Sequence, residues 1–113
     1  MEYVSFIRNK VLSILNGSDP FSAAESIAKK NGDILIALSI IESFIRDFMV
    51  ANLGSRNVIN EEILKISLNN MDCYFFDNIS KKLNEIRSMR DSSINMKTAL
   101  SEIFYQMGDI IQR

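Results

Sequence analysis

The stretch DILIALSIIESFIRDFMVANLG, residues 33–54, decides the fold. Its apolar residues cover most of the helical circumference at first, then narrow to Ile41, Phe44, Ile45, Phe48 and Met49 at steps of three and four. Only neighbours on several sides can remove that much apolar surface from water, so a helix of this kind belongs in the middle of a bundle. Glu42 and Arg46 stand four apart and are expected to pair on the exposed strip, a contribution of a few tenths of a kcal/mol. Gly54 is the expected stop. The charges at 42, 46 and 47 follow the most apolar run, Ile34 to Ile41, well short of the roughly 20 apolar residues that span a bilayer.

Toward the N-terminus, Val4, Ile7, Val11, Ile14 and Leu15 keep the same spacing and predict a helix over 2–15, stopped by Asn16-Gly17. Ser18 or Asp19 caps the next helix, with Pro20 at its first position, where a missing N–H costs nothing. Phe21, Ala24, Ile27 and Ala28 form its expected stripe, and Asn31-Gly32 its left-handed end. Toward the C-terminus, Ser55 to Val58 reads as a loop, and Asn60 before Glu61 and Glu62 reads as a cap for a short helix reaching about Leu68. Asn69-Asn70 breaks it. A longer helix over about 72–90 carries Phe75, Phe76, Ile79, Leu83, Ile86 and Met89. After Asp91-Ser92-Ser93, Asn95 is the expected cap of a last helix striped by Met96, Ala99, Leu100, Ile103, Phe104, Met107, Ile110 and Ile111.

The expected fold is therefore all-α, one domain over 1–113, a single bundle of about six helices joined by short turns. The 113 residues suffice for one core but not for an added nucleotide-binding domain. Thirteen basic and fourteen acidic residues leave a formal charge of −1, so any DNA role is indirect or local. Met1 is followed by Glu2 and Tyr3, with no secretory pattern, and a cytoplasmic location is expected.

The chain has no histidine, which removes serine and cysteine triads and histidine-ligated metals. Its four glycines, 17, 32, 54 and 108, are isolated, so neither a Walker A loop nor a dinucleotide-binding turn is present. Two carboxylate pairs, Glu42 with Asp47 and Glu61 with Glu62, are weighed as metal ligands. Their lysine and arginine neighbours and solvent-facing spacing favour a salt-bridged surface instead. Lys81, Lys82, Arg87 and Arg90 enrich one helix in positive charge, but Asp77 and Glu85 interleave with them, and a solvated face with intrahelical pairs is expected over phosphate binding. Cys73, the single cysteine, has no adjacent base and reads as a small core or boundary residue. The expectation is a chain without catalytic site, metal, cofactor or small-molecule substrate.

Phe6, Tyr74, Tyr105 and Met107 lie beside or beyond the main stripes, either as ordinary boundary residues or as a surplus that a partner covers. Two segments bear on the choice. The first is SFIRDFMVANLG, Ser43 to Gly54, and the second is KKLNEIRSMRDSSINMKTALSEIFYQM, Lys81 to Met107. The first resembles a family pattern in which a tryptophan- or leucine-rich helix carries Arg-Asp and closes with Leu-Gly, matched by Arg46, Asp47, Leu53 and Gly54. The second resembles a helix leading into Asn-Val-Asn-Pro-Arg-Leu-Ala-Leu-Glu, matched by Asn95, Ala99 and Leu100, with Lys97 for the arginine. Ser93, Met96 and Ser101 depart from it.

The family is the C-terminal collar domain of bacterial clamp-loader subunits, the delta-prime subunit of DNA polymerase III first and gamma/tau second. The resemblance covers about the last two-thirds of the chain. It implies a wedge of the ring that holds clamp-loader subunits together, with ATP-binding domains lying elsewhere and DNA met only through the complex. Other clamp-loader subunits are the implied partners, and Tyr74, Ile94, Tyr105 and Ile111 on the last two helices the implied contacts. A free-standing helical adaptor or homodimer unrelated to replication, and a carboxylate-metal bundle enzyme, are the competing readings.

Overall fold

Two aspartates set the starts of the helices that fix the bundle. Asp19 and Asp33 both have extended backbone, and each turns its carboxylate onto amides of the first turn that have no intrahelical partner. Asp19 Oδ2 accepts from the Ser22 amide at 3.0 Å and from its hydroxyl at 2.9 Å, and Asp33 Oδ1 accepts from the Leu35 amide at 2.9 Å. These hydrogen bonds hold the Asp19 carboxyl below its ordinary range.

The computed structural model describes residues 2–30, 32–65, 73–88 and 93–109; for residues 73 and 93–95 it describes the backbone alone. Among them lie five α-helices and no strand: α1 Glu2–Leu15, α2 Pro20–Lys29, α3 Ile34–Asn52, α4 Cys73–Ser88 and α5 Ser93–Asp109. α5 packs against α1, α2 and α4, while α3 packs against α1 and α4. The core draws on all five, with Ile7, Ile14, Ile27, Leu38, Phe44, Phe48, Ile79, Ile86, Leu100, Phe104 and Met107 buried. No described helix is long and apolar enough to cross a membrane.

Where a short helix reaching about Leu68 is expected, residues Glu61–Lys65 form a 3₁₀ helix, and residues 66–72, with the expected break at Asn69-Asn70, lie outside the described residues. The Ile63 amide bonds the Asn60 carbonyl at 3.0 Å, three residues back, and Ile63 is buried against the bundle. Asn60 does not cap it with its side chain, which points elsewhere. α5 begins two residues before Asn95, so Asn95 stands inside the first turn and not at the cap.

Several stripe residues also differ from expectation. Met49 and Phe21 are exposed, and Phe21 lies under the Lys97 amine, 4.7 Å from the ring centroid. Met107, weighed as surplus surface, is fully buried. Phe6 is half-buried, with the amines of Lys10 and Lys30 5.5 and 5.1 Å from its ring centroid. Phe75 and Phe76 pack edge to face at 5.1 Å. Met89, Ile110 and Ile111 lie outside the described residues.

The glycines divide by role. Gly17 (φ 97°) and Gly54 (φ 86°) are left-handed, a conformation that costs other residues about 1–2 kcal/mol. At Gly32 a Cβ would lie 2.3 Å from Tyr3 Cε1, while Asn31, the other half of the expected helix end, lies outside the described residues. The Tyr3 ring thus occupies the space a side chain at 32 would need. Partial burial, and then the charge of Asp33, push the Tyr3 hydroxyl pKa up.

Candidate functional site

The charged centre of the molecule is Asp47, on the long helix α3, with no exposed surface. Expected on a solvent-facing strip, it is buried because the chain after Gly54 folds back across it. Oδ1 accepts from the Ile59 amide at 2.8 Å; Oδ2 accepts from the Asn60 amide at 2.6 Å and from Asn60 Nδ2 at 2.8 Å. Arg46 Nη1 lies 3.4 Å from Oδ1, at the edge of the same carboxylate. A carboxylate taken out of water costs several kcal/mol unless its oxygens are supplied with donors, and here both are.

The network continues through Asn60. Its Nδ2 also donates to Ser43 Oγ at 3.1 Å, and its Oδ1 accepts from Arg8 Nη2 at 3.2 Å. The same Arg8 nitrogen reaches both oxygens of Glu62, at 3.0 and 3.1 Å, and its guanidinium sits 5.8 Å from the centroid of Phe44. Glu62 is held below its ordinary pKa first by its own backbone amide, then by Arg8. Four parts of the chain, α1, α3, the loop and the 3₁₀ turn, are thereby tied at one point.

What this fixation presents to solvent is apolar. Ile59, whose amide is fastened to Asp47, is 62% exposed, and Leu53, at the end of α3, is 80% exposed. Met49, one turn before Leu53, is exposed as well. Ile59 also walls a shallow cleft of about 390 Å³ with Arg8, Glu61, Glu62 and Lys65. The exposure of Leu53 and Ile59 is not signalled by the sequence, where Leu53 reads as part of a Leu-Gly helix end and Ile59 as a residue beside a loop.

Of the four expected contact residues, Tyr74 on α4 is 75% exposed and Tyr105 on α5 is 56% exposed. The Ile94 side chain and Ile111 lie outside the described residues. Tyr105 borders a cleft of about 490 Å³ with Ile14, the 17–20 turn, Gly108 and Asp109.

Among the described residues, three ion pairs tie one α-helix to another, beside pairs within helices such as Glu25 with Lys29 on α2. Glu42 pairs with Arg87 of α4 in place of Arg46, and Lys82 of α4 pairs with Glu102 of α5. Lys97 of α5 donates to Glu25 of α2 at 3.0 Å, with Lys29 3.8 Å from the same carboxylate, and the two cations lower the Glu25 pKa. Arg90 lies outside the described residues. Among the described residues no three His, Cys, Asp or Glu side chains are grouped as metal ligands.

No protein-family model, curated protein or solved structure matches the chain.

Proposed function

We propose that this chain is a scaffold domain of a bacterial DNA polymerase III clamp loader, a wedge of the collar that holds the subunits together. The observation that carries the reading is the work done by the residues that bear the resemblance. Arg46 and Asp47 sit where the returning loop is fastened, and Leu53 with left-handed Gly54 makes the turn that sends the loop back. The Arg-Asp and Leu-Gly steps are thus two parts of one device, which accounts for their occurring together. Lys97, at the arginine position of the second pattern, ties α5 to α2 through Glu25.

Large apolar side chains left in water at Met49, Leu53, Ile59, Tyr74 and Tyr105 support a role in contact with other proteins. In this role the chain binds no nucleotide, and DNA is met only through the assembled complex. Gel filtration of the chain mixed with purified clamp-loader subunits tests the proposal: co-elution supports it, and separate elution from every subunit sinks it. The free-standing homodimer shares the exposed surface, and it predicts self-association without any of those subunits.

A further inference from the structure

The turn between α1 and α2 carries an Asn-Gly step, Asn16-Gly17, and both residues are exposed to water. An asparagine before glycine is the least hindered setting for attack by the following backbone nitrogen on the side-chain amide, because glycine has no Cβ to crowd the ring that forms. In the folded chain, hydrogen bonds engage both reacting groups. The Gly17 amide, the nucleophile, donates to the Ile14 carbonyl at 3.0 Å. Asn16 Nδ2, the leaving group, donates to the Leu12 carbonyl at 3.0 Å, which draws the side-chain amide back over the last turn of α1. The Ser18 amide closes the turn on the Ser13 carbonyl at 2.9 Å, and buried Ile14 and Leu15 anchor it in the core.

We propose that Asn16 is a deamidation site held shut by the fold, which reacts when the last turn of α1 opens. Gly17 N loses its proton to solvent base and attacks Asn16 Cγ. The N–Cγ bond forms, the Cγ–Nδ2 bond breaks, and ammonia leaves a cyclic imide. Water then opens the imide at either carbonyl, giving aspartate or isoaspartate. The product works against the structure that restrained it. A carboxylate at residue 16 has no proton for the Leu12 carbonyl, and it sets negative charge at the negative end of α1. Isoaspartate also adds a methylene to the backbone beside left-handed Gly17. Opening permits the reaction, and the reaction favours opening, so the turn is a one-way device that records how often the end of α1 has come undone.

The full chain is incubated at mildly alkaline pH, in buffer and in urea above the unfolding transition, then digested with trypsin and mapped by mass spectrometry. The fragment Val11–Lys29 holds Asn16 as its only side-chain amide, so the amide-to-acid mass change is read there without ambiguity. Conversion is expected to be slower in buffer than in urea by about tenfold or more. Asn16→Ser should show none in either condition. Conversion as fast in buffer as in urea overturns the restraint, and no conversion in urea overturns the site itself. Asn16→Asp, which carries one product from the start, is expected to melt below wild type at neutral pH. A melting temperature equal to or above wild type overturns the one-way device.

Discussion

Asp47 and Asn60, thirteen residues apart, meet through two hydrogen bonds to a single carboxylate oxygen, one from the Asn60 amide at 2.6 Å and one from its side chain at 2.8 Å. Both residues are buried. Asp47→Ala leaves the Ile59 and Asn60 amides and the Asn60 side chain without their acceptor, and is expected to cost about 3 kcal/mol or more. Asn60→Ala removes three side-chain hydrogen bonds and is expected to cost about 2 kcal/mol. The double variant should cost clearly less than the sum, because each change breaks the shared contact. Urea unfolding of the four chains measures this, and strict additivity would count against a single network.

Much of the fold was legible in sequence, and the point where legibility ended is instructive. The periodicity of Ile7, Val11 and Ile14, or of Ile41, Phe44 and Phe48, is local and survives in the core. The Asp19-Pro20 helix start and the Leu53-Gly54 stop are local too. Asp47 was misread because its burial is not local: the covering donors come from residues 59 and 60, and nothing in the helical spacing of 42, 46 and 47 announces them. Asn60 failed for the same reason, its side chain facing α3 and Arg8 instead of the turn it precedes. The Glu42–Arg46 pair lost to Glu42–Arg87, which bridges two helices. Among the exposed apolar residues, Tyr74 and Tyr105 were legible as lying off the stripe, whereas the exposure of Leu53 and Ile59 follows from where the loop is fastened.

Gly32→Ala brings a Cβ to within 2.3 Å of the Tyr3 ring. The ring or the 30–33 connection must shift, at an expected cost of about 1–3 kcal/mol. Replacing Tyr3 by Ala first should remove most of that penalty, since the obstacle is then gone. Thermal melts of both backgrounds decide; an equal cost in each would place the strain elsewhere.

Adjacent positions on α5 should behave oppositely. Phe104 is fully buried and Phe104→Ala is expected to cost about 3–5 kcal/mol, whereas Tyr105→Ala, at an exposed position, should stay within about 0.5 kcal/mol. Denaturant midpoints of the isolated chain provide the comparison. Similar losses at both sites would mean that Tyr105 is engaged in the free protein.

Acid should weaken the bundle. Glu25 is held below its ordinary pKa chiefly by the hydrogen bond from Lys97, Glu62 by its own backbone amide and Arg8, and Asp19 by Ser22. Each carboxylate therefore binds protons more readily in the unfolded chain. The stability each contributes is complete above its unfolded value, about 4. It is lost as pH falls through that value to the lower folded one. Melting temperature is expected to be nearly level from pH 7 to about 5 and to decline below about 4.5, with Glu25→Gln shedding part of the decline. A rise in melting temperature on acidification would have the wrong sign.

Static light scattering on the gel-filtration peak of the chain mixed with clamp-loader subunits tests the scaffold reading most directly, because it weighs what the chain has joined. The account predicts a multi-subunit species that contains the 12.9 kDa chain and is heavier than the same peak without it. A peak of twice 12.9 kDa, with every subunit eluting apart, would contradict it and point to a free-standing homodimer.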